Sequence, residues 1–250
     1  MSRVFLQVDL KQAESRFVAY DSCDENLIGA LTDESRDIHS EVAAEIFGCS
    51  VAQVRAEAKA GDPSKRQLGK KSGHGANYAM KETTFQESCL KELNLVLATT
   101  EAKRTLEAYH KLFPGIRRWH ASLRATVYRE RRLTNPFGRV RYFYGRMDDN
   151  TYREAYAYRP QSTVPDIANS LMLALCERRR AELPDFWLHM QCHDSLTLSC
   201  APSGVAPLAD YMLDLSWHPH LELPAGPLRI PVSVESGRVL GEMEPYVRQH

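Results

Sequence analysis

The sequence predicts an α+β protein in which a small antiparallel sheet is built from the two ends of the chain and a mostly helical region is inserted between them. Three observations carry this. Val4 to Leu10 is a short apolar, β-branched run with the composition of a buried strand. Phe186, Leu188, Met190 and Cys192 recur at every second position, and Leu196, Leu198 and Cys200 resume the alternation, which reads as a hairpin with His193-Asp194 at its tip. Between these stretches the apolar spacing is helical over most of the first half of the chain.

Each element follows in order. A helix or turn is expected from Gln12 to Tyr20, with Phe17 and Val18 inward. Asp37 to Phe47 has helical periodicity, and Ser50 has the chemistry of an N-cap for a helix over Val51 to Lys59. Gly61-Asp62-Pro63-Ser64 breaks the chain and caps a glycine-bearing helix over 64–78. Helices over Ala79 to Leu95 and Thr100 to Leu112 come next, then a turn at Phe113-Pro114-Gly115 with Leu112 as a core residue. A basic helix runs from Ile116 to Arg132. Asn135-Pro136-Phe137-Gly138 is a turn and Arg139 to Tyr144 a strand. Ile167 to Arg180 is amphipathic, and Leu228 to Glu235 is the last strand, after a connector containing Pro219 and Pro224.

Composition narrows the function classes. The 250 residues carry 32 basic and 32 acidic side chains, so net charge is zero and any polyanion must be held by local patches. Such patches occur at Lys65–Lys71, Arg129–Arg132, Arg139 with Arg141, and Arg178–Arg180. Six scattered cysteines without C-x-x-C spacing read as reduced thiols of a cytoplasmic protein. No run is apolar and long enough for a membrane span or a signal peptide. A zinc site from His189, Cys192 and His193 is disfavoured, because strand alternation sends Cys192 to the opposite face.

The 65–78 stretch carries the sharpest chemistry. Arg66, Lys70, His74 and Tyr78 fall four apart and form one stripe on a helix, cations first and rings last. That order suits a ligand with a polyanionic tail and a stackable head, such as a nucleoside triphosphate. Gly69, Gly73 and Gly75 each cost a helix up to ~1 kcal/mol against alanine, which points to a surface packed very close. Asp9 ends the first strand and Asp194 sits on the hairpin turn. Two such carboxylates brought together can hold two divalent ions ~3.5–4 Å apart, the arrangement for in-line phosphoryl transfer. Hard oxygen ligands point to Mg²⁺.

These residues resemble motifs of family A DNA polymerases, and the resemblance runs from end to end. Asp9-Leu-Lys-Gln-Ala-Glu14-Ser-Arg16 is similar to motif A, Arg66-x3-Lys70-x7-Tyr78 to motif B, and His193-Asp194 to motif C. Arg36-Asp37-Ile38-His39, Phe137-Gly138-Arg139-Val140-Arg141, Pro160-Gln161-Ser-Thr and Val234-Glu235 match further family segments in order. The resemblance implies a palm sheet with a helical fingers region: palm at 1–23, fingers at 24–120, palm again at 121–250. It implies a template-directed DNA polymerase with Asp9 and Asp194 as the catalytic metal pair for two Mg²⁺ ions, Mn²⁺ being a possible substitute. Arg66 and Lys70 would grip the dNTP triphosphate beside His39 and Gln12, with Lys70 protonating the pyrophosphate. Glu14 would crowd the sugar 2′ position, while His74 and Tyr78 would close over the base pair. Arg139, Arg141, Arg153, Gln161 and His193 would contact primer-template DNA.

Departures accompany the match. His74 replaces the usual bulky aromatic, Ser195 the Glu after the motif C Asp, Ala157 an Asn, and Ala79 the Gly after the motif B Tyr. They suggest a divergent, phage-like branch, in a bacterial or phage-infected cytoplasm. Little precedes Asp9, so a split polymerase is expected, whose separate chain supplies the thumb, a palm edge and a 3′–5′ exonuclease. A minimal polymerase working alone is the variant of that expectation. The alternatives are a catalytically weak nucleic-acid-binding or assembly subunit that keeps the fold, and an RNA-synthesising relative, against which Glu14 argues.

Overall fold

The computed structural model describes residues 3–179, 182–218 and 220–248, so Pro219 and Arg180 of the sequence expectations lie outside the described residues. In chain order the elements are β1 (Val4–Leu10), α1 (Ala13–Asp21), α2 (Glu25–Thr32), α3 (Ile38–Phe47), α4 (Val51–Lys59), α5 (Ser64–Asn77), α6 (Glu82–Leu93), α7 (Thr99–Leu112) and α8 (Gly115–Glu130). Then come β2 (Arg132–Thr134), β3 (Val140–Tyr142), α9 (Asp149–Arg179), β4 (Phe186–Cys192), β5 (Ser195–Cys200), α10 (Val205–Ser216), β6 (Leu221–Leu223), β7 (Gly226–Leu228), β8 (Val232–Gly237) and β9 (Glu244–Pro245). The chain divides into two compact units: Met1–Phe17 with Asn135–Arg139 and Pro160–His250, and Val18–Thr134 with Val140–Arg159. Among the described residues no helix is long and apolar enough to cross a membrane.

The first unit holds a five-stranded sheet in the order β4-β5-β1-β8-β9, antiparallel throughout. β1 is central, paired with β5 on one side and β8 on the other, and its two faces differ: Leu6, Val8 and Leu10 are buried, and the residues between them are half-exposed. α10 packs on β1 and β8 through an apolar face that includes Leu208, Ala209 and Met212. The expected hairpin is present, with a register shift in β4 between Leu188 and Met190. That shift ends the regular alternation expected for β4, and Met190 and Cys192 are exposed. The expected 228–235 strand is two elements. Leu228 ends β7 opposite Leu221, and β8 starts only at Val232, after Pro231, whose ring nitrogen has no hydrogen for a ladder. α10 was not anticipated.

The second unit is helical around a continuous core that includes Phe85, Phe113, Ile116, Val127 and Tyr156. Phe113 takes the buried place expected of Leu112, which is half-buried. The glycine-bearing helix is α5, and its glycines do meet close neighbours. A Cβ on Gly69 would lie 2.2 Å from the His39 carbonyl oxygen of α3, one on Gly73 would lie 3.0 Å from the Tyr109 ring, and one on Gly75 would touch Leu106 and Phe85 at 3.2 Å. Backbone contact replaces the side chain, which is why α3 and α5 lie so close. α5 has no side-chain cap at Pro63. The Asp62 carboxylate instead accepts from the Ser64 amide at 3.1 Å and from its hydroxyl. The helix expected over 167–180 is only the end of the 31-residue α9, which continues through Pro160 and Pro165. α2, capped by Asp24, was also not anticipated.

Candidate active site

Antiparallel register brings the two motif aspartates together within the sheet unit. Asp9 faces Ser195 on β5 and Ser233 on β8, and Asp194 is the turn residue just before Ser195. The Leu10 amide donates to the Asp194 carbonyl at 3.0 Å, and the Lys11 amide to the Pro231 carbonyl at 2.9 Å, which fixes the end of β1 between its two neighbours. Burial raises the Asp9 carboxyl above its ordinary range, and the charges of Asp194 and Glu235 raise it further. Among the described residues no cation lies within ion-pair distance of Asp9 or Asp194, and no three His, Cys, Asp or Glu side chains are gathered as a ready metal cluster. An all-oxygen pair with uncompensated negative charge fits a hard divalent ion.

The turn residues beside these aspartates are strained. Gln12 and His193 have φ of 53° each, in the left-handed region that non-glycine residues seldom adopt. Both side chains are exposed. Glu14, half-buried, opens α1 two residues after Gln12.

In the helical unit α5 carries the predicted stripe. Arg66 gives two hydrogen bonds to Asp37, from Nε at 2.7 Å and Nη2 at 3.2 Å. Asp37 also caps α3, accepting from the amides of His39 and Ser40 and from the Ser40 hydroxyl at 2.7 Å. Burial alone would raise the Asp37 carboxyl, but the Arg66 and Ser40 hydrogen bonds outweigh it and hold it down at about 2. His39 is pushed down to about 4, first by burial and then by the charges of Arg66 and Lys70, so it is neutral near pH 7. Three of the expected triphosphate-binding residues therefore share one local field. Lys70 and His74 are exposed along a cleft of about 590 Å³ that Gln67, Lys71, Glu92 and Leu93 also line. Lys71 is neutralised there by Glu92 at 2.6 Å, whereas no acid lies within ion-pair distance of Lys70 among the described residues. The His74 and Tyr78 rings meet edge to face at 5.1 Å, and Tyr78 is buried.

The expected DNA contacts are dispersed. In the sheet unit Arg139 clasps Asp166 at 2.6 Å, and Asn135 donates to the same carboxylate at 2.8 Å. Gln161 is exposed on α9. In the helical unit Arg141 pairs with Glu154 at 2.5 Å, and Arg153 donates to the Asn150 side chain. Sequence reasoning missed Asp37 as the partner of Arg66, and Asp166 as the anchor of Arg139. An aspartate at a helix N-cap signals its capping role only, and nothing local announces a bond 29 residues away. Glu235 stood in a matched segment without a role. Its charge at Asp9 comes from β8 lying beside β1.

Residues 1–239 match the sequence profile of DNA polymerase family A. The chain belongs to that family. The thermostable DNA polymerase I of Thermus thermophilus is 30% identical over 249 residues, covering 96% of this chain and 27% of that protein. DNA polymerase I of Helicobacter pylori is 30% identical over 196 residues, covering 76% of this chain and 20% of that protein. The chain thus spans about a quarter of the length of these relatives. The fold is that of the POL domain of Pol1 from M. smegmatis, solved in complex with DNA primer-template and dNTP. The TM-score is 0.74 at 23% identity, over 94% of this chain and 39% of that one.

Against the family pattern, two departures have structural consequences. Ser195 is buried and its hydroxyl donates to the Cys192 carbonyl at 2.9 Å, so it closes the hairpin turn where a carboxylate is usual. Ala79 stands where the family A pattern has glycine, and it adopts φ of 50°.

Proposed function

We propose that this chain is the nucleotidyl-transfer part of a template-directed DNA polymerase, with the palm in the sheet unit and the fingers, including residues 24–120, in the helical unit. The observation that carries the reading is the juxtaposition of Asp9 and Asp194 at one end of the sheet, with their charge left uncompensated. Magnesium, or manganese in its stead, fits that donor set, and two bound ions supply an activated primer 3′-hydroxyl and a stabilised leaving pyrophosphate.

The chain's own residues do the rest. Arg66 and Lys70 neutralise the triphosphate, and the neutral His39 offers a hydrogen bond where a third cation would only add repulsion. Lys70, exposed and without an acid partner among the described residues, donates the proton that the departing pyrophosphate takes up. Glu14 fills the space a 2′-hydroxyl would need, which selects deoxynucleotides. His74 and Tyr78 stack on the nascent pair, and Gln12 contacts the incoming nucleotide. Arg139, Arg141, Arg153, Gln161 and His193 bind the primer-template. A thumb from a separate chain, or from more of this one, belongs to the same reading. It is supported by β4, which ends the sheet with exposed Trp187 and Met190 on it.

Primer extension by the purified chain with Mg²⁺ and dNTPs, beside Asp194→Ala, tests the proposal. Extension by the parent that falls about a thousandfold or more in the variant supports it, given what transition-state charge stabilisation contributes. Equal extension by both overturns the metal assignment. No extension by a folded chain, alone or with a thumb-bearing partner added, overturns the enzymatic reading.

A further inference from the structure

The ribbon formed by β2 and β3 has its aromatic residues on the wrong side for folding. Its register pairs Arg132 with Tyr142, Leu133 with Arg141 and Thr134 with Val140. Leu133 and Phe143 supply the buried face, each 4% exposed. Alternation sends Val140, Tyr142 and Tyr144 to the opposite side, where Tyr142 is 53% and Tyr144 84% exposed. The two tyrosine rings are nearly parallel, 18° apart, with centroids 6.0 Å from each other. Arg131 donates from Nη1 to the Gly145 carbonyl at 2.8 Å, which pins the segment bearing Tyr144. The pair is therefore a held, solvent-facing stack that neither core packing nor the proposed chemistry uses.

The charge around it is predominantly positive. Residues 128–146 contain six arginines and one glutamate, in a chain whose net charge is zero. Arg129 is spent on Glu130, and Arg141 on Glu154. Arg132, directly across the ribbon from Tyr142, is exposed with no acid within ion-pair distance among the described residues, and Arg146, two residues beyond Tyr144, is exposed and not ion-paired, although Asp148 feels its charge. A partner for this face must combine flat rings with a polyanionic backbone. Single-stranded nucleic acid has both, and every base offers a ring face, so stacked aromatics with nearby cations bind it with little sequence preference. An apolar protein partner would gain nothing from the unpaired arginines.

We propose that Tyr142 and Tyr144 form a stacking platform for unpaired bases of single-stranded DNA, with Arg132 and Arg146 supplying the charge that holds its phosphates. This rests on the polymerase reading for the kind of nucleic acid and adds a place where an unpaired strand is held.

The test is fluorescence anisotropy with labelled oligo-dT and with a blunt duplex of equal length, run beside primer extension on the same preparations. The Tyr142→Ala/Tyr144→Ala variant is expected to bind oligo-dT at least about fivefold more weakly, the lower bound for losing one base–aromatic stack. Its duplex affinity and melting temperature stay unchanged, and Tyr142→Phe/Tyr144→Phe keeps the parent affinity because the ring face is retained. Unchanged oligo-dT binding in the alanine variant overturns the platform, as does an equal loss on the duplex. Loss of self-association or of protein binding, with DNA binding intact, identifies a protein interface and overturns it too. If primers are not extended, with or without a thumb-bearing partner, but oligo-dT binding falls as expected, the polymerase reading fails and the platform stands. If extension proceeds and oligo-dT binding is indifferent to the tyrosines, the platform alone fails.

Discussion

Arg66 and Asp37 are joined by two hydrogen bonds, at 2.7 and 3.2 Å, that tie α5 to the N-terminus of α3. The same carboxylate caps α3, so one side chain both begins one helix and holds a proposed triphosphate ligand of another. An arginine held this way is preorganised, but its charge is already partly answered by the Asp37 carboxylate.

Asp37→Asn should separate the two roles. Asparagine caps a helix about as well as aspartate, whereas Asp37→Ala loses the cap at a cost of about 1 kcal/mol. With the charge removed, Arg66 is free for phosphate, and the dNTP KM in primer extension should fall severalfold in Asp37→Asn. The Asp37 carboxyl is held down at about 2, so its ion pair stabilises fully above the ordinary carboxylate range, near pH 4, and is lost as pH falls through 2. Urea unfolding should find parent and Asp37→Asn about 1 kcal/mol apart at pH 7, discounted for solvent screening, and converging near pH 2. An unchanged gap at both pH values would remove the ion pair from the stability of the unit.

Ala79 is held at φ 50°, where a Cβ is unwelcome. Its amide still bonds the Ala76 carbonyl and the Met80 amide the Gly75 carbonyl, so the turn that ends α5 forms despite the strain. Ala79→Gly should raise stability by about 0.5–1 kcal/mol, the left-handed penalty less the extra chain entropy of glycine. Thermal melting reads this directly, and a fall would mean that the methyl group packs better than the backbone is strained.

Asp9 carries an electrostatic penalty from Asp194 and Glu235 on top of its burial. Removing its charge with Asp9→Asn should raise the melting temperature in the presence of EDTA while abolishing primer extension. Added Mg²⁺ should stabilise the parent and leave the variant unmoved, since binding to the folded state alone stabilises by mass action. A variant that melts lower in EDTA would make Asp9 a structural residue.

Three histidines of the helical unit, His39, His110 and His120, are each pushed down to about 4, with burial the largest cause. All three are neutral in the folded protein and take up protons near pH 6.5 once unfolded. Their contribution is whole above pH 6.5 and disappears as pH falls through 4, at up to about 1 kcal/mol per pH unit for each. His120 bonds the Asn77 carbonyl at 2.8 Å and stacks on Tyr156 at 4.2 Å. His120→Gln should be less stable at pH 7 yet show a shallower loss between pH 6.5 and 4. A slope equal to the parent's would assign the acid sensitivity elsewhere.

Much of the fold was legible because its signals are local. β1, α4 and the 186–200 hairpin follow from period and capping chemistry, and Ser50 does accept from the Gln53 amide as an N-cap should. The glycines of α5 foretold a close surface before that surface had a name. Where the signals mislead, the cause is tertiary. The expected helix begins only at Ile167, yet α9 starts at Asp149 and runs through Pro160 and Pro165. Pro231 interrupts what looks like one strand, and a register shift spoils the alternation of β4.

The sequence alone determined the family and the fold class and singled out the residues proposed to carry chemistry, because each is written in residue types at fixed spacings along a few turns or strands. Only the tertiary structure decided their company. Asp9 and Asp194 are 185 positions apart in the chain and become neighbours through antiparallel register. Asp37 reaches Arg66 because Gly69 lets two helices touch backbone to side, and Glu235 bears on Asp9 because β8 lies beside β1. Pairings of this kind depend on which elements lie side by side, and no local pattern of a linear chain encodes that.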